Sequence, residues 1–302
     1  MTKPSRIIDA HQHVFWHGRD DAGLVKTMDE FGIAKAVVLT WELSDVERSV
    51  GCDDVWNPVH SDQFGRQHPG LPLADAVRAV RHFPDRFVLG YCPHPVNEQA
   101  IAWLDAAIRM YDVRVCGEWK CRLQLDDPRC VELFRYCGVK GLPVQLHIDT
   151  PWAIDRQTGQ RKYDKLWYGG AIDNLERAMQ LCPDTLFLGH GPGFWREISG
   201  DADHADFGYP AGPVTPDGRI QRLFEKYANL WGDLSGFSGL NALQRDPEHG
   251  LEFLKAYHQR LLFARDFYDN RLQEFLNTLD LPQDVAEDIY HRNAEKVYRI
   301  EP

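Results

Sequence analysis

Short apolar stretches rich in strand-forming residues alternate along the chain with stretches of helical periodicity, and this alternation limits the possible folds more than any other feature. The eight stretches with the length and composition of buried strands are 6–16, 34–40, 86–92, 113–120, 142–148, 184–190, 229–235 and 260–266. Continuous alternation predicts a parallel sheet with crossover helices, and eight strands favour closure over an open doubly wound sheet. The sequence therefore predicts an α/β fold, a (β/α)8 TIM barrel.

The chain length is compatible with one barrel domain over residues 1–302, because such a barrel needs about 250 residues plus insertions. Three stretches are longer than a connection requires: 42–72, 149–167 and 191–216. Since the loops that follow the strands form the active-site face of such barrels, we expect these extended βα loops to wall a pocket, with surface decoration as the alternative. No glycine-rich dinucleotide fingerprint follows any strand, which further disfavours an open nucleotide-binding sheet.

The composition excludes several classes of partner. The net charge is -11 and no basic stripe is present, so we expect no nucleic-acid binding. No apolar run approaches the roughly 18 residues that cross a bilayer, so we expect no membrane span. The seven cysteines are odd in number and lack C-x-x-C spacing, which is typical of reduced, buried thiols in a cytoplasmic protein. A small-molecule substrate is the expected partner, and a homo-oligomer stays an open possibility.

Two histidines separated by one residue, His11 and His13, follow the first apolar run. In an extended strand alternate side chains share a face, so Asp9, His11 and His13 should point to the same side. Later strands also end in residues of types that commonly bind metals: Glu118, His147, His190 and Asp266. Each has an ordinary alternative explanation, such as a buried core histidine, a helix N-cap or an ion pair of Glu118 with Lys120.

The coincidence of these residues at one end of a single barrel favours a metal site. Neutral imidazoles and carboxylates suit Zn2+, with Mn2+, Fe2+ or Ni2+ as alternatives, and one coordination position is left open for water. Asp9, one step deeper than His11, is expected either to orient a ligand or to be a plain buried polar residue.

Motifs spread over the chain carry a family resemblance. They are DAHQH at the first strand, GEWK at the fourth, LH at the fifth, LGHGP at the sixth, GDLSG at the seventh, RLLFARD at the eighth and NAEKVY near the end. From residue 6 to about 299 they together resemble the amidohydrolase superfamily, specifically its amidohydrolase-2 branch. The resemblance implies a divalent metal ion held by four residues: His11, His13, His147 and Asp266. It also implies that His190 is a second-metal ligand or a substrate-polarising group.

The chain departs from this branch at two strands. The eighth strand of the branch usually ends in Gly-Ser-Asp or Gly-Thr-Asp, whereas this chain has Arg265 where a small residue is expected. At the fourth strand, Glu118 resembles the bridging glutamate of the TatD-like nucleases, and Lys120 resembles the carboxylated lysine of the binuclear hydrolases. The number of ions, one or two, stays open, and one tightly held ion with Glu118 as an extra ligand is the preferred expectation.

The resemblance implies a metal-dependent hydrolase in which a metal-activated water attacks a small cyclic or acyl substrate such as a lactone, an amide or an ester. Asp266 would move the proton of the water to the leaving group, and His190 would stabilise the developing oxyanion. A metal-dependent non-oxidative decarboxylase or a hydratase is the alternative, because the branch includes such lyases. A third hypothesis, an inactive barrel that serves as a binding module, is disfavoured by the intact ligand set.

Substrate-binding residues are expected near the same strand ends. Lys120 and Arg122 share the parity of Glu118, and Arg122 is placed to bind a substrate carboxylate, with a surface salt bridge as the alternative. Tryptophans near the strand ends are expected to line a flat pocket for a ring, with core packing as the alternative for each: Trp16, Trp119, Trp152 and Trp195.

Overall fold

The computed structural model describes residues 4–44, 47, 70–154, 158, 160–163, 167–204 and 208–301, and only the backbone of 152–154, 161–163 and 204. All the strands that the sequence predicts are present in these ranges. The strands are β1 (Ile8–Gln12), β2 (Lys35–Val38), β3 (Phe87–Leu89), β4 (Cys116–Trp119), β5 (Val144–Leu146), β6 (Trp152–Ile154), β7 (Arg161–Tyr163), β8 (Phe187–Gly189), β9 (Leu230–Asp233) and β10 (Leu261–Leu262).

Eight of these strands close into a parallel barrel. Strands β1, β2 and β3 pair in that order, and so do β4, β5, β8, β9 and β10. The two groups join through a parallel bridge between Gly90 and Val115, and through the 3.0 Å hydrogen bond from Ala10 N to Phe263 O. The predicted (β/α)8 TIM barrel is therefore confirmed.

An antiparallel hairpin of β6 and β7 follows β5, with Trp152 opposite Tyr163. The sequence predicts only an extended loop over 149–167. The hairpin escapes the sequence pattern because each of its strands is three residues long and pairs only with the other. The pocket wall predicted for 42–72 falls largely outside the described residues, as do 155–157, 159, 164–166 and 205–207.

Helices connect successive barrel strands: α1 (Asp21–Glu30), α2 (Leu73–His82), α3 (Ala100–Tyr111), α4 (Pro128–Lys140), α5 (Ile172–Leu181), α6 (Pro192–Trp195), α7 (Arg219–Lys226), α8 (Gly236–Gln244) and α9 (Pro247–Tyr257). After β10 follow α10 (Arg271–Thr278), α11 (Gln283–Glu287) and α12 (Asn293–Tyr298), with a π-helical turn at Asp288–Arg292. Helix α4 shows the local signals that set such bounds. Asp127 caps its first turn, Pro128 begins it, and Gly141 ends it with a left-handed φ of 59°.

Apolar side chains fill the barrel and the layer around it. Inside the barrel, Ile8, Val37 and Leu188 belong to one cluster, which Val297 and Tyr298 of α12 close at the N-terminal end of the strands. A larger cluster lies between the strands and the outer helices. Apolar groups thus seal the N-terminal end of the barrel. The polar strand-end residues lie at the C-terminal end, where barrels of this kind carry their sites.

Six cysteines lie in the described residues, and all six are buried free thiols, as the sequence predicts. They pack in the apolar layer between the strands and the outer helices. Cys52 lies outside the described residues. Across the described ranges, no helix is both long enough and apolar enough to cross a bilayer.

Candidate active site

The imidazoles of His11 and His13 meet at the C-terminal end of β1. Their Nε2 atoms lie 3.3 Å apart, and both side chains are buried. His11 Nδ1 lies 2.7 Å from Asp233 Oδ2, and His13 Nδ1 lies 3.0 Å from the carbonyl oxygen of Leu39. Because both of these oxygens are acceptors, each Nδ1 donates a hydrogen bond, which leaves a lone pair on each Nε2 of the neutral rings.

Two carboxylates complete this donor set. Glu118 Oε2 and Asp266 Oδ1 each lie 3.4 Å from His13 Nε2, and Asp266 Oδ1 lies 3.5 Å from His11 Nε2. Two nitrogen lone pairs and two carboxylate oxygens repel one another unless a cation lies between them. Imidazole nitrogens with carboxylate oxygens suit a divalent transition-metal ion. The residues present therefore fit one metal ion in this first group.

A second group of possible ligands adjoins the first and shares Glu118 with it. The ligand atoms of Glu118, His147 and His190 all lie within 4.8 Å of one another. His147 Nδ1 lies 2.8 Å from Glu118 Oε1, and the ring centres of His147 and His190 lie 5.2 Å apart. Glu118 thus lies between the two groups: its Oε2 is 3.4 Å from His13 Nε2, and its Oε1 is 3.8 Å from His11 Nε2 and 2.8 Å from His147 Nδ1.

The charges of the site favour a cation. Burial lowers the pKa of His11, but the nearby carboxylates, Asp266 first and Asp233 second, outweigh it and raise this pKa to about 10. Burial works against the ionised form of Asp266, yet His11 holds the pKa of Asp266 well below its usual range. Lys120 does the same for the pKa of the buried Glu118. In metal-free protein, a proton on His11 offsets buried negative charge that a divalent ion would otherwise neutralise.

Three polar residues that support the histidines were not predicted from the sequence. Asp233 accepts from His11 and also from Gln145 Nε2 at 2.8 Å, and Ser235 Oγ lies 2.8 Å from His190 Nδ1. The available signal was their position, because Asp233 ends β9 and Gln145 alternates with His147 along β5. Hydrogen bonds of this kind fix the orientation and tautomer of ligand imidazoles.

Asp9 does not share a face with the histidines as strand alternation predicts. Its carboxylate accepts from Arg265 Nε at 2.6 Å and from Gln12 Nε2 at 2.9 Å. The pairing of β1 with β2 shifts register between Asp9 and Gln12, and this irregularity brings the two side chains to the same side. Asp9 therefore lies beside the centre, and its contact with His11 is a long one, 3.4 Å from the backbone nitrogen.

Cations and aromatic rings lie around the centre. Lys120 Nζ lies 4.6 Å from the ring centre of Trp41, and Arg122 Cζ lies 4.6 Å from that of Tyr168. The ring centre of Trp16 lies 5.2 Å from that of His13. The structure thus places three of the four predicted substrate-binding residues beside the centre or beside aromatic groups that adjoin it.

Trp195, the fourth predicted substrate-binding residue, lies in the core. Its side chain is fully buried, its Nε1 donates to the backbone oxygen of Asp233 at 2.8 Å, and its ring packs against Phe253. This is the core packing that the sequence analysis gave as the alternative, and it arises because the short helix α6 turns the side chain towards the layer under α8 and α9. Trp119 is likewise a core residue, packed edge-on against Phe134, and the side chain of Trp152 lies outside the described residues.

Comparisons with known proteins agree with this architecture. Among solved structures, an uncharacterised TIM-barrel protein of Bordetella bronchiseptica is 18% identical, with a TM-score of 0.60 over 98% of this chain and 99% of that chain. A provisionally named 2-pyrone-4,6-dicarboxylic acid hydrolase of Pseudomonas putida is 16% identical, with a TM-score of 0.58 over 98% of both chains. A dihydroxybenzoic acid decarboxylase of Polaromonas sp. JS666, with bound manganese and the inhibitor 2-nitroresorcinol, is 13% identical, with a TM-score of 0.56 over 98% and 97%.

At these identities the solved structures show the fold alone. No curated protein matches the sequence. A family model described as Amidohydrolase matches residues 8–300, a range that includes every barrel strand. The resemblance carried by the sequence motifs is therefore confirmed, and the chain belongs to the amidohydrolase family.

Proposed function

We propose that the protein is a metal-dependent hydrolase of a small cyclic or acyl substrate, such as a lactone, an amide or an ester, that bears a carboxylate. The observation that carries the proposal is the first group of donors: two imidazole nitrogens and oxygens of two carboxylates face one another in a buried centre, with nitrogen–oxygen distances between 3.4 and 3.8 Å. A divalent ion would neutralise this buried charge, which in metal-free protein is offset by a proton on His11.

The proposed ion is Zn2+, and Mn2+, Fe2+ or Ni2+ are the alternatives that fit the same donors. One ion is held by His11, His13, Asp266 and Glu118. Glu118, His147 and His190 offer a second place, so a second ion is proposed to bind there more weakly. Elemental analysis of protein purified without a chelator identifies the ion and distinguishes one equivalent from two.

When bound, the ion supplies Lewis-acid polarisation of the scissile carbonyl and of the attacking water. Asp266 Oδ1 faces the two β1 histidines and its Oδ2 lies 3.6 Å from His190 Nε2, so the carboxylate is placed to accept a proton and pass it to the leaving group. In the one-ion state, the proposal assigns Ser235 Oγ, 2.8 Å from His190 Nδ1, as the hydrogen-bond donor, so that Nε2 of His190 carries the hydrogen. This N–H is placed to stabilise a developing oxyanion.

The proposed substrate carries a carboxylate because the Lys120 cation lies close to Glu118 and His147, and Arg122 lies over the Tyr168 ring that adjoins His147. Lys120 and Arg122 rest on the faces of Trp41 and Tyr168, and the Tyr168 ring centre lies 5.9 Å from that of His147. Cations beside aromatic faces suit a flat ring with a carboxylate substituent. The names of the compared enzymes support this choice, since pyrone dicarboxylic acid and dihydroxybenzoic acid are both carboxylated rings.

A non-oxidative decarboxylase is the second candidate. Lys120 favours it, because this cation is close enough to lower the pKa of Glu118 and so lies where a substrate carboxylate would approach the centre. In that reaction the bond between the ring and the carboxylate breaks, carbon dioxide leaves, and Asp266 delivers a proton from solvent to the ring carbon.

Isotopic solvent is expected to distinguish the two reactions once a substrate is found. If the enzyme is a hydrolase, turnover in heavy-oxygen water places the label in the newly formed acid, because solvent oxygen forms the new bond. A decarboxylase in deuterated water instead yields a carbon-bound deuterium and releases carbon dioxide. Mass spectrometry of the product measures both labels, and carbon-bound deuterium without oxygen label would contradict the hydrolase proposal while leaving the metal centre standing.

The Lys120→Met substitution is expected to raise KM for a carboxylated substrate about 10- to 100-fold. The change in kcat should be smaller, because the lost charge-assisted hydrogen bond is made in both the ground state and the transition state. Steady-state kinetics on the acid and on its uncharged methyl ester make the comparison, and the ester should show little change. Lys226→Met, on an exposed lysine paired with Glu176, is the matched control. An equal KM for wild type and Lys120→Met would remove Lys120 from substrate binding.

A further inference from the structure

A buried ion pair joins the first and last barrel strands, which carry three of the four donors of the first group, His11, His13 and Asp266. Arg265 Nε lies 2.6 Å from Asp9 Oδ2, and the two side chains are 1% and 0% exposed. Asp9 also accepts from the backbone nitrogen of Arg265 at 2.9 Å. The Asp9 carboxylate thus binds both the backbone and the side chain of Arg265, the residue that precedes Asp266.

The backbone between Arg265 and Asp266 is fixed at every polar group. The Arg265 carbonyl accepts from Gly236 N at 3.0 Å, and Asp266 N donates to the carbonyl of His11 at 2.9 Å. Asp266 itself has a left-handed backbone with φ 56°, a conformation that L-residues avoid and keep only when their surroundings impose it. Asp9 supplies the part of this constraint that comes from β1.

The pair has no substitute nearby. Arg265 Nη1 and Nη2 have no hydrogen-bond partner among the described residues, so Asp9 is the anchor of this guanidinium there, and the other contact is the Phe31 ring, 5.8 Å away. Gln12 Nε2 donates both to Asp9 and to the backbone oxygen of Phe267, one residue beyond Asp266. The same network therefore holds the chain on both sides of Asp266.

We propose that Asp9 and Arg265 form a positioning pair, which aims the Asp266 carboxylate at the two β1 histidines and thereby sets the metal affinity and coordination geometry of the centre. This inference rests on the proposed metal-dependent function. Neither residue contacts the donor atoms: the pair acts through the backbone of Asp266 and through the join between the first and last strands of the barrel. Interactions behind the ligands of a metal typically change its affinity about 10- to 100-fold.

The test uses Co2+ as the probe, because its visible absorption reports ligand geometry and its dissociation constant can be measured by competition with a chelator. Arg265→Met and Asp9→Asn are each expected to weaken Co2+ binding about 10- to 100-fold and to change the absorption spectrum. Arg265→Lys keeps the charge and the fold but loses the planar Nε–H, so partial recovery is expected. The matched control is Arg6→Met, which breaks a 2.6 Å ion pair with Glu295 at the other end of the barrel and should leave both readouts unchanged.

The outcomes separate the two proposals. Wild-type protein that binds no Co2+ would overturn the metal-dependent function, and this inference with it. Wild-type protein that binds Co2+, together with Arg265→Met and Asp9→Asn variants of wild-type affinity and spectrum, would overturn the positioning pair alone. Variants that melt at a lower temperature without metal, yet bind Co2+ with wild-type affinity and spectrum, would also overturn the positioning pair. That result is expected of an ion pair that only stabilises the fold.

Discussion

Stripping the protein of divalent ions with a chelator is expected to lower kcat/KM by about three orders of magnitude or more, because Lewis-acid polarisation supplies several kcal/mol of transition-state stabilisation. One ion equivalent per chain should restore activity. The double variant His11→Ala/His13→Ala is expected to lose the ion and still fold, since barrel stability resides in the apolar clusters rather than in this face. Elemental analysis and circular dichroism measure the two effects.

His82→Ala is the matched control for that variant. His82 lies on α2, pairs with Asp21 at 3.1 Å and has a side chain that is 62% exposed, so its loss should change neither metal content nor turnover. Full activity of the chelated protein, verified as metal-free by elemental analysis, would contradict the metal-dependent mechanism.

Asp266→Asn is expected to lower turnover about 10²- to 10⁴-fold while metal content is largely retained. The amide keeps the size of the side chain and one oxygen near His11 and His13, but it cannot accept the proton. Asparagine also tolerates the left-handed backbone at this position, so the substitution should add little strain. Single-turnover kinetics and elemental analysis of the same samples provide the measurement.

Asp269→Asn serves as the control three residues further along the chain. Asp269 pairs with Arg271 on the surface, and both side chains are 42% exposed. Unchanged turnover in Asp266→Asn would remove Asp266 from the chemistry, whereas equal losses in both variants would point to a general effect of altering this loop.

The barrel could be predicted from the sequence because each of its strands is buried on both faces and appears as a short apolar run between helical segments. The hairpin of β6 and β7 could not, since its three-residue strands pair only with each other and leave no such run. The closure of the barrel through Ala10 and Phe263 is a long-range contact that no local pattern records.

The convergence of the candidate ligand side chains could be predicted from residue type and strand position, because the carboxyl ends of parallel strands meet at one end of the barrel. Side-chain direction within irregular segments was not predictable. The register shift in β1 moves Asp9 away from the histidine face, and α6 buries Trp195. Asp233 lies in the GDLSG motif, but its contact with His11 joins residues 222 apart in the chain, and no local pattern records such a contact. The buried ion pair of the atypical Arg265 with Asp9 is likewise visible only in the structure.

The join between the first and last barrel strands also constrains the order of events during synthesis. Asp9 and Arg265 are 256 residues apart in the chain, and His11 and Asp266 are separated almost as far. The two β1 histidines emerge from the ribosome long before Asp266 is synthesised. The nascent chain therefore has an incomplete centre until the eighth barrel strand emerges and pairs with the first. Under the proposed function, retention of the ion is therefore expected of finished chains only, because prematurely terminated products lack Asp266.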